Sequence, residues 1–197
     1  QVVHRRAQQL LKDVADLETL ARQLNQGWES EITIAVENIF PKSILHPILK
    51  KFNSGNQTTR LSILDVVLGG AVEAIENATA DLIITPILPL GCLGTQLITL
   101  DLHPYAHKDH PLNQQTEPVT QKELANTLQI VIKDTATKTA AFPFGWLKAE
   151  KRWTVSDFYH ALEILKTGEG FCWAPAHLVM REVDAGQIKA INTAGDL

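Results

Sequence analysis

Along residues 3–28 the apolar positions fall in alternate steps of four and three, at Val3, Ala7, Leu10, Val14, Leu17, Ala21, Leu24 and Trp28. This heptad spacing predicts one helix with a narrow apolar stripe. Leu11 and Leu20 widen the stripe on one side, and Arg5, Arg6, Lys12, Asp13, Asp16 and Glu18 keep the remaining surface solvated. A first helix packed on its own domain would show a similar stripe; the length of the seam favours a dimerisation helix built on Val3, Ala7, Leu10, Val14, Leu17, Ala21 and Leu24. Gly27 suits the helix end.

Past that glycine the period changes. "EITIAV" (31–36) and "RLSILDVV" (60–67) are β-rich, and "DLIITPI" (81–87) reads as a third strand. Between them, "PKSILHPILKKF" (41–52) reads as a helix with Pro41 in its first turn and Pro47 kinking or shortening it, and "GGAVEAIENATA" (69–80) as a second helix. Strand, helix, strand, helix, strand at this spacing implies right-handed crossovers and a parallel sheet.

From Leu97 the order repeats more loosely. Strands are expected at 96–103, 128–135, 152–155, 171–176 and 187–192. Helices are expected at 120–127, with Thr120 as N-cap and Glu123 completing a capping box, at 156–168, with Ser156 as N-cap and Gly168 as stop, and at 177–186. The fold class is therefore α/β, with two lobes joined near "PLGCLGTQ" (89–96).

Charge and composition narrow the function. The 197 residues suffice for one domain or two small lobes. No apolar run approaches the roughly 18 residues that span a bilayer, so no membrane partner is expected. The polar, basic start "QVVHRRAQQLLKD" lacks an export-signal pattern, which points to the cytoplasm or to a processed chain, and Gln1 in place of Met implies missing sequence upstream. A net charge of -4 without a basic cluster argues against DNA binding by this chain alone. Cys92 and Cys172 form no CxxC motif and fit a reducing compartment. Cys92, in "PLGCLGT", reads as accessible and Cys172, in "GFCWAP", as buried, which leaves oxidation sensing as an alternative.

The stretch "HPYAHKDHP" (103–111) holds three histidines and an aspartate. Pro104 and Pro111 prevent the helix that would pair His103 with His107 on a metal, and an extended backbone turns His110 away from the other two. No metal is expected. The sequence also lacks the nucleophile-elbow, P-loop, dinucleotide-binding and zinc-protease motifs, so neither a cofactor nor catalytic residues are expected. The glycines of "GGAVEAI" suit either a tight strand-to-helix turn or close approach of a ligand to helix N–H groups.

Four segments resemble the effector-binding domain of LysR-type transcriptional regulators. They are "GWESEITIAV" (27–36), "GGAVEAIENATADLIITPIL" (69–88), "AHKDHPL" (106–112) and "LEILKTGEGFCWAPAHLV" (162–179). The resemblance implies two Rossmann-like lobes of the type 2 periplasmic-binding-protein kind, joined by crossover strands and preceded by a linker helix. The linker and dimerisation helix would cover 1–28, the first lobe 29–88, the second 89–190, and a truncated return to the first lobe 191–197. The family's winged helix-turn-helix would lie before Gln1 and carry all contact with promoter DNA. The partners implied are a small-molecule effector and further copies of the chain, as a homodimer or tetramer in the bacterial cytoplasm.

Strand ends and helix starts in such a fold converge on the interlobe cleft. This nominates Glu37, Asn38, Ile39, Phe40, Leu68, Gly69, Gly70, Thr85, Pro86 and Ile87 from the first lobe, and Ser156, Asp157, Trp173 and Pro175 from the second. Free helix N–H groups favour an anion, which Glu37 and Asp157 would oppose unless they point away, so the expectation leans slightly to an anionic or aromatic effector. The alternative is a periplasmic solute-binding protein of the same fold. The heptad seam and the missing export signal weigh against it.

Overall fold

The computed structural model describes residues 29–55, 59–89, 91–138 and 149–194, together with Arg6, Leu11 and Val14, which are helical. Leu11 and Val14 are exposed. The other positions of the heptad seam, and Gly27, lie outside the described residues.

Strand β1 (Glu31–Glu37) is the centre of a parallel three-stranded sheet, between β2 (Arg60–Val66) and β3 (Leu82–Ile84). Helices α1 (Lys42–Gly55) and α2 (Gly69–Glu76) make the connections. Successive strand residues face opposite sides, so Ala35 packs with Val66, Ala71 and Ala74, while Val36 packs with Phe40 and Leu45. Both halves of the pattern are apolar because both faces are covered.

Three expectations shift here. Helix α1 runs past Pro47 to Gly55: the proline removes one intrahelical donor on an exposed side and shortens nothing. Helix α2 stops at Glu76, because Ala78 adopts φ 50° and the Thr79 amide folds back onto Ala74 O at 2.9 Å. Strand β3 ends at Ile84, since Pro86 has no N–H for the ladder and Ile87 N donates to Thr85 Oγ1 at 3.1 Å in a tight turn.

The second sheet contains β4 (Leu102–His107), β5 (Gln129–Ile132), β6 (Arg152–Val155), β7 (Phe171–Pro175) and β8 (Ile188–Ala190), in the order β6-β5-β7-β4-β8. Strand β5 is parallel to β6 and β7, and β4 is antiparallel to β7 and β8. Tyr105 and Cys172 turn to one core with Ala161, Leu162 and Leu165 of α4 (Phe158–Lys166) and Val179 of α5 (Ala176–Asp184). Their neighbours Ala106 and Phe171 turn to the other, with Leu124 of α3 (Gln121–Asn126). Helix α3 begins with the expected capping box of Thr120 and Glu123.

The strand expected at 96–103 is displaced to Leu102–His107. Residues 92–101 have no ladder partner among the described residues, and a strand forms only where a neighbour takes its hydrogen bonds. The histidine-rich stretch therefore sits partly in β4. His110 is buried and caps the 3₁₀ turn Pro111–Asn113, its Nδ1 accepting from Leu112 N at 3.2 Å, and burial pushes its pKa down. His107 Nδ1 accepts from Asp109 N at 3.2 Å, and His103 is exposed. Among the described residues no group of three His, Cys, Asp or Glu is placed to hold a metal ion. No helix among them is long and apolar enough to cross a membrane.

Candidate functional site

The C-terminal ends of β1, β2 and β3 and those of β5 and β7 surround a cavity of about 950 Å³. The first sheet contributes Glu37, Asn38, Ile39, Phe40, Val67, Leu68, Ile84, Thr85 and Pro86. The second contributes Ile130, Ile132, Lys133, Asp134, Thr154, Cys172 and Trp173, with Phe158 from the start of α4. The connecting segment lays Leu88, Cys92, Leu93, Leu97 and Ile98 along one wall. Most of this lining is apolar, the usual character of a small-molecule site, with a few polar groups to fix orientation.

Eight residues nominated from the sequence line this cavity: Glu37, Asn38, Ile39, Phe40, Leu68, Thr85, Pro86 and Trp173. Six do not. Asp157, not Ser156, is the N-cap of α4: its Oδ1 accepts from His160 N at 2.8 Å while Oδ2 accepts from Ser156 Oγ at 2.9 Å. Both side chains are thereby committed to the helix start. Pro175 is fully buried where β7 passes into α5, and Ile87 is held in the Thr85 turn. Gly69 and Gly70 pack against the segment after β5. A Cβ on Gly70 would lie 1.8 Å from Thr135 Oγ1, and one on Gly69 would lie 2.9 Å from Ala136 Cβ. The glycine pair thus serves a close approach of protein to protein.

That approach joins the two sheets. Val67 N donates to Thr135 Oγ1 at 2.9 Å, and Thr135 N donates to Val67 O at 3.3 Å. On α2, the buried Glu73 carboxylate accepts from Thr137 N at 2.9 Å, from Thr137 Oγ1 at 3.0 Å and from Lys138 N at 2.5 Å. Such bonds to a buried carboxylate are among the stronger ones available to a protein.

The charged end of the cavity is acidic. Glu37 is 3% exposed and its Oε2 accepts from Leu68 N at 3.0 Å. Burial, reinforced by the Asp134 charge, raises its pKa from 4.5 to about 7, against the pull of the Leu68 amide. Leu68 adopts φ 50°, ψ -109°, a strained backbone at the rim of the cavity that aims its amide at Glu37. Asp134 was not nominated from the sequence. Its Oδ2 accepts from Gly69 N at 3.3 Å and its Oδ1 from Ala136 N at 2.8 Å. Because β5 ends at Ile132 and not at Thr135, Asp134 stands by a strand end, as Glu37 and Thr85 do. Cys172 is no nucleophile: burial pushes its thiol up to about 12.

Residues 25–197 match the LysR substrate binding domain. The chain belongs to the LysR family. This LysR chain is 30% identical over 191 residues to the HTH-type transcriptional regulator YeeY of Escherichia coli (strain K12), covering 93% of this chain and 60% of that protein. It is 28% identical over 191 residues to YhaJ of the same strain, covering 95% of this chain and 64% of that one. The LysR chain thus spans less than two thirds of either relative. Among solved structures it resembles the effector binding domain of QuiR in complex with shikimate, with a TM-score of 0.63 at 12% identity over 86% of this chain and 83% of that one. The α/β architecture is the type 2 periplasmic-binding-protein-like fold of LysR effector-binding domains.

Proposed function

We propose that this domain is the ligand-sensing part of a cytoplasmic bacterial transcription regulator, and that its effector binds in the cavity between the two sheets. The observation that carries this reading is the cavity itself, lined by strand ends from both sheets, so that a ligand there touches both sheets at once. Lobes over 29–88 and 89–190 close on the effector, and the shift in population passes to promoter DNA through a DNA-binding domain outside this chain. Homodimers or tetramers, assembled through the heptad helix, carry the signal. The domain makes no covalent change to its ligand. Relatives that are HTH-type transcriptional regulators favour this over a periplasmic solute-binding protein.

A thermal-shift screen of small metabolites against the chain tests the site, with Asn38→Trp as the control that fills the cavity. Compounds that raise Tm in the parent and not in Asn38→Trp support the reading. Stabilisation that persists in Asn38→Trp, or none from any compound, counts against it.

A further inference from the structure

We propose that the effector is a cation on an apolar body, its charged group held by Glu37 and Asp134; this rests on the reading of the cavity as the effector site. The helix start is already occupied. An anionic effector would take the free N–H groups at the beginning of α2, yet Leu68 N and Gly69 N already donate to Glu37 and Asp134. The chain's own carboxylates stand where a ligand carboxylate would go.

Charge balance points the same way. Glu37 is almost fully buried and Asp134 half-buried, and the two are close enough that the Asp134 charge disfavours ionisation of Glu37. A third negative charge would add to that repulsion, whereas a cation relieves it. Lys133 also lines the cavity, but its exposed ammonium stays hydrated and is a weak counterweight. The rest of the wall suits an apolar body. Phe40, Ile84, Ile132 and Trp173 offer apolar contact, and an aromatic face near a desolvated cation adds attraction.

Three probes of one shape and different charge test this on the 197-residue chain: benzylammonium, benzoate and benzyl alcohol, measured by calorimetry and thermal shift. Benzylammonium is expected to bind at least about tenfold more tightly than benzoate. Glu37→Gln and, independently, Asp134→Asn are expected to weaken benzylammonium about tenfold while leaving benzyl alcohol unchanged. Affinity for benzylammonium should rise between about pH 6 and about pH 8 as Glu37 ionises. The other charged groups lining this end are Asp134 and Lys133; His177, exposed on α5 beside the Ile39 backbone, does not line the cavity, so His177→Gln should keep the pH profile. Tighter binding of benzoate, binding of benzyl alcohol alone, or an unchanged benzylammonium affinity in both carboxyl variants overturns the cation and leaves the effector cavity standing. If none of the three binds, or if binding survives Asn38→Trp, both readings fall.

Discussion

Glu37 and Asp134 come from different sheets and accept hydrogen bonds from consecutive backbone amides, Leu68 N at 3.0 Å and Gly69 N at 3.3 Å. The arrangement has a cost that depends on pH. The folded chain holds the Glu37 proton up to about pH 7, whereas an exposed glutamate releases it near 4.5. Proton binding by Glu37 therefore favours the fold fully below about 4.5, and the contribution is lost as pH rises to about 7. That loss, complete above about pH 7, amounts to up to about 3 kcal/mol relative to low pH. Glu37→Gln removes this dependence. Denaturant unfolding is expected to show the variant gaining on the parent by up to about 3 kcal/mol between about pH 5 and about pH 8. A constant difference across that range would refute the assignment.

A second tie between the sheets runs through Glu73 and the Thr137 and Lys138 amides. Glu73→Gln keeps the size and loses the charge that strengthens these bonds, an expected loss of about 1–3 kcal/mol. Hydrogen exchange should locate the effect: Thr137 and Lys138 exchange faster while amides of β1 keep their protection. Uniform acceleration everywhere would mean a global loss of stability without a local latch.

The comparison of sequence with structure divides along physical lines. Strand β1, whose Ala35 and Val36 pack on opposite faces, announces itself as an apolar β-branched run, and the capping box of Thr120 and Glu123 is written in four residues of local chemistry. Glu37, Thr85 and Trp173 were legible as cavity residues because strand ends in a βα fold share one rim. What failed needed long-range information. The glycines at 69 and 70 meet Asp134 and Thr135, some 65 positions away, and no local pattern records that contact. Strand β4 lies where β7 and β8 offer partners, which displaces it from the apolar run before it. Asp134 lies inside the β-rich run 128–135, and only the ladder, which ends at Ile132, shows that it is a strand-end residue.

At the start of α4, two adjacent residues are both good capping types, and only the structure chooses between them. Asp157 has the extended backbone and accepts from His160 N, while Ser156 merely donates to Asp157. Asp157→Ala is expected to lower stability by about 1 kcal/mol, and Ser156→Ala by a few tenths at most. Thermal unfolding of the two variants reads this directly; equal losses would return the cap to Ser156.

The two cysteines line the same cavity in different states. Cys172 is buried, its thiol raised to about 12 and its Sγ placed 3.4 Å from Trp173 O, whereas Cys92 is half-buried on the connecting segment. Iodoacetamide at about pH 8 is expected to label Cys92 in the folded chain and to spare Cys172 until denaturant is added, as mass spectrometry of the peptides would show. Labelling of Cys172 in the folded chain would mean that the cavity opens far enough to hydrate β7.

The approach of α2 to the segment after β5 is set by the missing side chain at Gly70. A methyl there would meet Thr135 Oγ1 at 1.8 Å and the Thr135 carbonyl carbon at 3.2 Å, so side-chain rotation relieves only part of the clash. Gly70→Ala is expected to destabilise by about 1–3 kcal/mol through overpacking, against the helix preference for alanine. Gly55, with nothing within 4 Å of its own missing Cβ at the end of α1, supplies the contrast: Gly55→Ala should change stability little. Because the clash is with one residue, Thr135→Gly in the Gly70→Ala background should recover part of the loss, even though Thr135→Gly alone removes the bonds to Val67. A double-mutant cycle on unfolding free energy measures this coupling. Strict additivity would show that the two sheets do not meet at this point, and would remove the geometric basis for placing Asp134 beside Glu37.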